Sequence, residues 1–382
     1  MKKIGSILEK INRKYKINLT LSSDDDRALV PFRIPTGIPQ LNVISGGGLP
    51  AGRIVEVSGE ESAGKTTLVT QLISANPGLS VLHDIEATFD KKRAEDVGFD
   101  LGRLAYDDQS GDASAETIMD AMVGILDEFE GEVSAEEPVV IFLDSVAALI
   151  TEQEEDKSTK DAVVAALPRV LSRGLKKVSK QLANTGAALV LVNQLRDKIG
   201  TFSPAPGKQQ DSVGGRALKF YASIRIFLTV VKKLFRERSV KGAKGTEKFR
   251  EVEGVRVKAR TIKNKCFRPF LETEFCIYFD KRGIVWEEDF FNTLVRYGVL
   301  VGEKGKTTYT LNPILKGQSF MDGADPAEYA LSMKEWVETM RDSKGCSFIE
   351  QAAVFVLAAG NTETKCEEEE EGEEDIKPED DL

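Results

Sequence analysis

The residues with the clearest chemistry are Gly59-Glu60-Glu61-Ser62-Ala63-Gly64-Lys65-Thr66, two glycines spaced to frame a loop and followed by Lys and a hydroxyl. Arg53–Ser58 before it reads as a strand, and Thr67–Ile73 after it as the helix it opens. A loop in that setting turns its backbone N–H groups, together with the helix N-terminus, toward one point. That makes an anion site before any side chain is counted. Lys65 adds a point charge suited to the outer phosphates of a nucleotide, and Thr66 offers a hydroxyl to Mg²⁺. The plain alternative is a Gly-rich turn that matches by chance.

Three further positions could complete such a site. Val139–Asp144 is an apolar run that ends in a carboxylate, placed to support a metal shell opposite Thr66. Glu86 follows the apolar run 79–85 and could orient or deprotonate a water; the alternative is a surface acid in a loop. Gln194 follows the run 188–193, where an amide can sense a terminal phosphate. Residues 195–215 after it are rich in Gly, Pro and polar groups and carry Arg196, Lys198, Phe202 and Lys208. Cations beside an aromatic suit single-stranded nucleic acid, although a mobile surface loop would have the same composition. Lys263 and Lys265 stand two apart on an expected strand, so both ammonium groups share one face, as a phosphate clamp or an ordinary solvated edge.

The elements that must position these groups alternate. Strands are expected at 53–58, 79–85, 138–144, 187–193 and 222–229, and near Val255. Helices are expected at 65–75, 115–129 and 161–184. Continuous apolar strands separated by helices predict an α/β fold with a mostly parallel central sheet, whose ligands lie beyond the carboxyl ends of the strands. Ile4, Ile7, Leu8 and Ile11 predict a short N-terminal amphipathic helix, and the polar stretch 22–27 a linker. A helix so short needs a docking partner, either the core or another copy of the chain. After Trp286 the pattern changes: 289–295 and 326–358 read as helical with a turn-rich piece from Val301 to Asn312 between them, a small mixed α/β C-terminal domain. The expected layout is 1–30, helix and linker; 31–286, core; 287–362, C-terminal domain; 363–382, tail.

Charge divides along the same lines. The chain of 382 residues has a formal net charge of −10, and all of it resides in 366–382, where eleven acids face one Lys. The rest is balanced, with 51 residues of each sign. Such a tail is expected to be disordered, serving solubility or competing with a polyanion for a basic surface on the same protein. Four cysteines without a paired C-x-x-C spacing and one histidine argue against a zinc site, a disulfide framework or a His-based triad, and predict free thiols in a reducing cytoplasm. No apolar run reaches membrane-spanning length, and the first residues lack the apolar core of a secretory signal.

Taken in order, the segments resemble the bacterial RecA recombinase family over about residues 35–286. The resemblance is carried by Ile34–Gly37, Gly47–Glu56, the phosphate loop, Asp144–Leu149, Asn193–Gly200 and Gly214–Ser223. It implies a RecA-type ATPase core and a DNA-dependent ATPase that uses ATP and Mg²⁺, forms filaments on single-stranded DNA, and pairs that strand with a double-stranded partner. By the same resemblance Glu86 would be the catalytic carboxylate and Gln194 the link from ATP to DNA. Lys65, Thr66, Thr67, Asp90 and Arg93 would hold the nucleotide. The region 151–163 with Arg169 and Lys176 would serve the first DNA loop, and residues 195–213 with the bordering Gly214 and Gly215 the second. Lys263 and Lys265 would reach a neighbour's ATP, while Phe220 and the N-terminal helix, through Ile4 and Leu8, would build the contact between copies. Mediator proteins and a single-strand-binding protein are further expected partners. Two departures stand out: Arg93 where the family usually carries Tyr against adenine, and Glu60 where it carries Pro. A ring-forming motor on the same core and a non-enzymatic mediator are the alternatives. The long loop after Gln194 favours a filament over the first, and Glu86 argues against the second.

Overall fold

The computed structural model describes residues 2–16, 30–108, 110–155, 166–197, 210–212, 215–242, 245–302, 306–322 and 324–359. The expectations at Lys198, Phe202, Lys208, Gly214 and the acidic tail lie outside them.

In chain order the main elements are α1 (Lys2–Tyr15), α2 (Pro39–Ser45), β1 (Ile54–Gly59), α3 (Lys65–Ala75), β2 (Leu79–Asp84), α4 (Lys91–Val97), β3 (Leu104–Asp107), α5 (Ala115–Glu128), β4 (Val139–Asp144), α6 (Ala166–Thr185), β5 (Ala188–Asp197), α7 (Gly215–Tyr221), β6 (Ile224–Gly242), β7 (Gly245–Asn264), β8 (Glu272–Tyr278) and β9 (Ile284–Val285). The sheet runs β9-β8-β7-β6-β1-β5-β4-β2-β3, and Gln210–Ser212 pairs antiparallel with the end of β5. From β6 to β3 all neighbours are parallel, while β7, β8 and β9 extend the sheet antiparallel.

Both faces of the parallel part are covered, which explains its continuous apolar strands. Val55, Val57, Val140, Phe142 and Val190 face one core with Leu68 and Leu72 of α3. Ile54, Ile141, Leu143, Leu189 and Leu191 face the other, with Met119 and Met122 of α5 and Leu171, Leu175, Val178 and Leu182 of α6. The helical stripe expected over 161–184 thus covers the second face, in a helix described from Ala166. The phosphate loop, Asp84, Asp144 and Gln194 all fall at the carboxyl ends of parallel strands, as the alternation predicts.

Three expectations are corrected. The strand placed at 222–229 runs on to Gly242, and its partner begins at Gly245 rather than near Val255. Their polar ends pair with each other, so they need no apolar alternation to remain extended. Leu104–Asp107 adds a short strand beside β2. The helix expected over 326–358 is interrupted: Leu331–Ser332 is a strand, and two helices, α9 (Met333–Arg341) and α10 (Ser343–Ala359), meet at Asp342. Ser332 starts α9 with a capping box to Glu335, which stops any helix from running through that point.

Residues 287–359 hold α8 (Glu287–Arg296), a three-stranded antiparallel sheet that includes Leu300–Gly302 and Thr308–Leu311 from the segment expected to be turn-rich, and α9 and α10. Their buried Phe290, Leu294, Trp336, Ile349 and Val356 join the first core directly. Asn42 of α2 also donates to Glu350 of α10 at 3.0 Å.

Candidate functional site

The loop between β1 and α3 owes its shape to two residues in left-handed backbone conformation, Ser62 (φ 59°) and Gly64 (φ 80°). Gly64 is also confined from across the sheet, because a Cβ there would overlap Cδ1 of Ile277 on β8. Ala63 is buried, while Glu60 and Glu61 are exposed, so the charge that replaces the usual proline faces solvent. Lys65 curls back, its ammonium donating to the carbonyls of Gly59 at 3.1 Å and Glu60 at 2.7 Å. Burial draws its pKa below the ordinary lysine value, against the pull of Asp144, Glu86 and Glu61.

Opposite the loop, Thr66 Oγ1 donates to Asp144 Oδ2 at 2.9 Å. Asp144 is only 6 % exposed. Desolvation raises its pKa to about 6; Glu86 and Asp84 push it the same way, while Thr66 and Lys65 oppose. Glu86 joins this group through a single oxygen. Its Oε1 accepts from Gln194 Nε2 at 2.8 Å and from the hydroxyl of Ser145 in a short bond. Asp84, beside Asp144 in register, accepts from the backbone N–H of Phe89 at 2.7 Å and from Tyr106 Oη at 3.2 Å. Those contacts fix the turn that carries Glu86 off the end of β2.

The loop opens on a cleft of about 460 Å³ lined by Lys65, Thr66, Glu86, Asp144 and Gln194. A second cleft of about 440 Å³ continues from it, lined by Phe89, Asp90, Arg93, Val97 and Tyr278. Thr66, Thr67, Arg93, Ile277 and Phe279 line both. The first cleft has the size and donors for phosphates, and the second, with the rings of Phe89 and Tyr278 among its walls, suits a planar base. Asp90 is engaged as the N-cap of α4, accepting from Arg93 N at 2.9 Å. Arg93 lies exposed between the two halves, able to lay its planar guanidinium on a ring. For a hard cation, the Thr66 hydroxyl and Asp144 carboxylate are suitable oxygen donors. Among the described residues no three His, Cys, Asp or Glu gather to hold a metal by themselves.

The remaining expected residues occupy other places. Arg169 and Lys176 lie on α6, exposed on the side away from the core, and Arg173 and Lys180 fall at helical spacing between and beyond them. That cationic stripe was readable from spacing alone, but only two of its members were singled out. Lys177 turns aside to Asp120 at 3.0 Å. Arg196 is on β5 and its backbone pairs with Asp211; Gly215 opens α7 at φ 66°. Lys263 and Lys265 converge on the far end of α7, each ammonium donating to the Phe220 carbonyl at 3.3 Å. Cations at a helix C-terminus meet its unsatisfied carbonyls. Phe220 is 69 % exposed, with Lys265 over its ring at 5.6 Å. Ile4 and Leu8 are on α1, whose Ile7 is 50 % exposed.

Ser145, Tyr106, Ile277 and Phe279 were missed as site residues. Ser145 could have been suspected from its place next to Asp144. Tyr106 and Ile277 lie on strands and Phe279 just past β8, and only the sheet order places them beside the cleft.

The family model for the RecA N-terminal domain matches residues 2–285. The chain belongs to the RecA family. It is 30 % identical to Protein RecA of Nostoc punctiforme over 386 aligned residues, covering 99 % of this chain and 97 % of that protein. It is 34 % identical to Protein RecA of Synechococcus elongatus over 73 % of this chain and 72 % of the relative, and 32 % identical to that of Acidothermus cellulolyticus over 83 % and 85 %. As a RecA family member the chain is a recombinase, a DNA-dependent ATPase of DNA recombination and repair. Among the described residues no helix is long and apolar enough to cross a membrane.

Proposed function

We propose that the paired clefts bind ATP with Mg²⁺, that hydrolysis there controls a helical filament on single-stranded DNA, and that the filament pairs this strand with a homologous duplex. The loop N–H groups and Lys65 hold the phosphates, Thr66 and Asp144 support Mg²⁺, and Arg93 with Phe279 borders the base. Bound Mg²⁺ would supply charge neutralisation at the transferred phosphoryl group. Glu86 orients the attacking water and draws its proton. Gln194, on the strand that leads into the second DNA loop, reports through Glu86 whether the terminal phosphate is present. Lys263 and Lys265 reach the nucleotide of an adjacent copy, and Phe220 with α1 (Ile4 and Leu8) contributes to that contact. Arg169 and Lys176 support one DNA strand, and Arg196, Lys198, Phe202, Lys208, Gly214 and Gly215 belong to the loop that grips it. Nucleotide between copies then holds the polymer together, since binding adds contacts that hydrolysis removes. The same reading keeps the layout 1–30, 31–286, 287–362 and 363–382, a cytoplasmic setting, and possible handover from single-strand-binding and mediator proteins.

The observation that carries this reading is the Glu86 carboxylate held by Gln194 and Ser145 beside the phosphate loop. A carboxylate so placed can work on water, and its partner amide belongs to a strand that continues toward nucleic acid. The test is ATP turnover with and without single-stranded DNA. Marked stimulation is expected, and its absence in folded protein would defeat the proposal.

A further inference from the structure

Glu86 leaves the sheet on a turn that its neighbours have to hold in place. Just past the end of β2, Ala87 takes a left-handed backbone at φ 51°. A residue with a Cβ keeps that conformation only where its surroundings impose it. Here most of the constraint comes from Asp84. The Ala87 N–H donates to the Asp84 carbonyl at 3.3 Å, and the Phe89 N–H to Asp84 Oδ2 at 2.7 Å. Between them the Ile85 N–H donates to the Asp144 carbonyl at 2.7 Å. Asp84 is only 3 % exposed, so its carboxylate depends on the donors that the protein supplies.

The other donor to Asp84 Oδ2 is the Tyr106 hydroxyl, at 3.2 Å. Tyr106 belongs to the edge strand β3 and stands beside Leu82 in register, which puts its side chain on the face of the sheet that carries Leu82 and Asp84. The same strand is tied to β2 from the opposite face, where His83 Nδ1 lies 2.7 Å from Asp107 Oδ2. The Tyr106 ring stacks on Phe89, with centroids 5.7 Å apart and planes inclined by 28°. Phe89 is part of the wall of the second cleft, so Tyr106 stands behind that wall. An edge-strand tyrosine 43 % exposed could leave its hydroxyl in water; this one turns to a buried carboxylate. Desolvation and then Asp84 raise its pKa, which keeps the hydroxyl a donor.

We propose that Tyr106 is a positioning residue for ATP hydrolysis. Through Asp84 it fixes the turn that aims Glu86 at water, and through Phe89 it joins that turn to the wall of the base cleft. The proposal rests on the reading of Glu86 as the group that activates water. The two attachments have separable effects. Without the hydroxyl, Asp84 Oδ2 loses one of its two donors, and the turn that carries Glu86 loosens. A base displaced from its working geometry loses rate steeply. The phosphates are held by the loop after β1, which this change leaves alone, so turnover should suffer and binding should not. The ring supports Phe89, so its loss should reach nucleotide affinity as well.

The experiment uses full-length protein carrying Tyr106→Phe or Tyr106→Leu, with Tyr106→Phe made also in the Glu86→Gln background. ATP hydrolysis with single-stranded DNA is followed at steady state and in a single turnover, beside binding of a fluorescent ATP analogue and thermal unfolding. Tyr106→Phe keeps the stacked ring; it should lower kcat about 3- to 10-fold, the weight of one hydrogen bond to a carboxylate, with KM and analogue affinity within about twofold of the parent. Tyr106→Leu should show the same loss of kcat and, with the stack gone, a KM raised by about threefold or more. In the Glu86→Gln background Tyr106→Phe should change the residual single-turnover rate by less than about twofold, because it acts through the group already removed. Unchanged kcat in Tyr106→Phe overturns the proposal. So does a loss confined to KM, or an equal fractional loss of rate in both backgrounds, which a merely structural tyrosine would give. Should Tyr106→Leu fail to fold, Tyr106→Phe in the two backgrounds still decides. If Glu86→Gln protein hydrolyses ATP as the parent does, the reading of Glu86 is what fails. If Glu86→Gln is inactive and Tyr106→Phe is without effect, that reading stands and the role of Tyr106 is lost.

Discussion

Gln194 Nε2 donates to Glu86 Oε1 at 2.8 Å, although the two residues stand 108 apart in sequence, Glu86 just past β2 and Gln194 on β5, with β4 between those strands in the sheet. The Ser145 hydroxyl donates to the same oxygen from the end of that intervening strand. One carboxylate oxygen thus ties together the ends of β2, β4 and β5. Whatever moves Gln194 must break or bend a bond to the group expected to activate water.

Glu86→Gln keeps the shape and a hydrogen-bonding oxygen but cannot accept a proton. Turnover should fall by about 10²–10⁴, the usual contribution of a positioned general base, while nucleotide affinity changes little. Single-turnover ATP hydrolysis and binding of a fluorescent ATP analogue measure the two separately. Unchanged turnover would remove Glu86 from its role.

Asp144 has its pKa raised to about 6 by burial. Below that pH it becomes neutral and loses its hold on a metal shell, so Mg²⁺-dependent nucleotide binding should weaken as pH falls through about 6. The linkage to stability runs the other way. A raised carboxyl favours the fold below the unfolded value near 3.8, and this contribution is lost as pH rises through about 6. The shift corresponds to about 3 kcal/mol at most. Denaturant midpoints of Asp144→Asn and parent across pH 4 to 8 check this: the variant should lack the decline between about 4 and 6.

Gly64→Ala meets two obstacles, a left-handed backbone at φ 80° and overlap with Ile277. The backbone term alone costs about 1–2 kcal/mol. Thermal unfolding should shift down and nucleotide affinity should drop. Adding Ile277→Val relieves the overlap but not the backbone, so rescue should be partial; complete rescue would show that side-chain crowding is the whole effect.

Lys263 has its pKa lowered to about 8 by desolvation, then by Lys265 and Arg225. As pH rises through 8 its charge disappears, and so does its ability to attract phosphate. If it contributes to assembly, polymer formation with ATP should weaken between pH 7.5 and 9 in the parent and hold in Lys263→Arg, whose guanidinium stays charged. Light scattering across that range gives the answer.

Much of the phosphate side of the cleft was legible because its parts carry local signatures: the glycine spacing before Lys65 and Thr66, the apolar strand ending at Asp144, and Glu86 and Gln194 just after the apolar stretches of their strands. The wall that faces them was not. Ile277 and Phe279 lie over two hundred residues beyond the phosphate loop, and nothing in their own neighbourhood indicates that β8 passes beside Gly64. The outer β6–β7 hairpin escaped for the opposite reason. Among the described side chains none is buried between Phe235 and Val252, so the alternation that signals a half-buried strand is lacking, and cross-strand pairing keeps it extended. The cationic stripe on α6 was half read, since Arg169 and Lys176 were singled out without Arg173 and Lys180.

The Phe220 carbonyl already receives the ammonium groups of Lys263 and Lys265 within a single copy of the chain. In the proposed assembly, a phosphate offered by an adjoining copy competes for these ammonium groups with the Phe220 carbonyl and with the Lys219 carbonyl that Lys263 also meets. Joining two copies through these lysines would then exchange carbonyl oxygens for phosphate oxygens, and its net driving force would be the difference between them. A polymer built on such an exchange would form when nucleotide is plentiful and come apart as it is consumed.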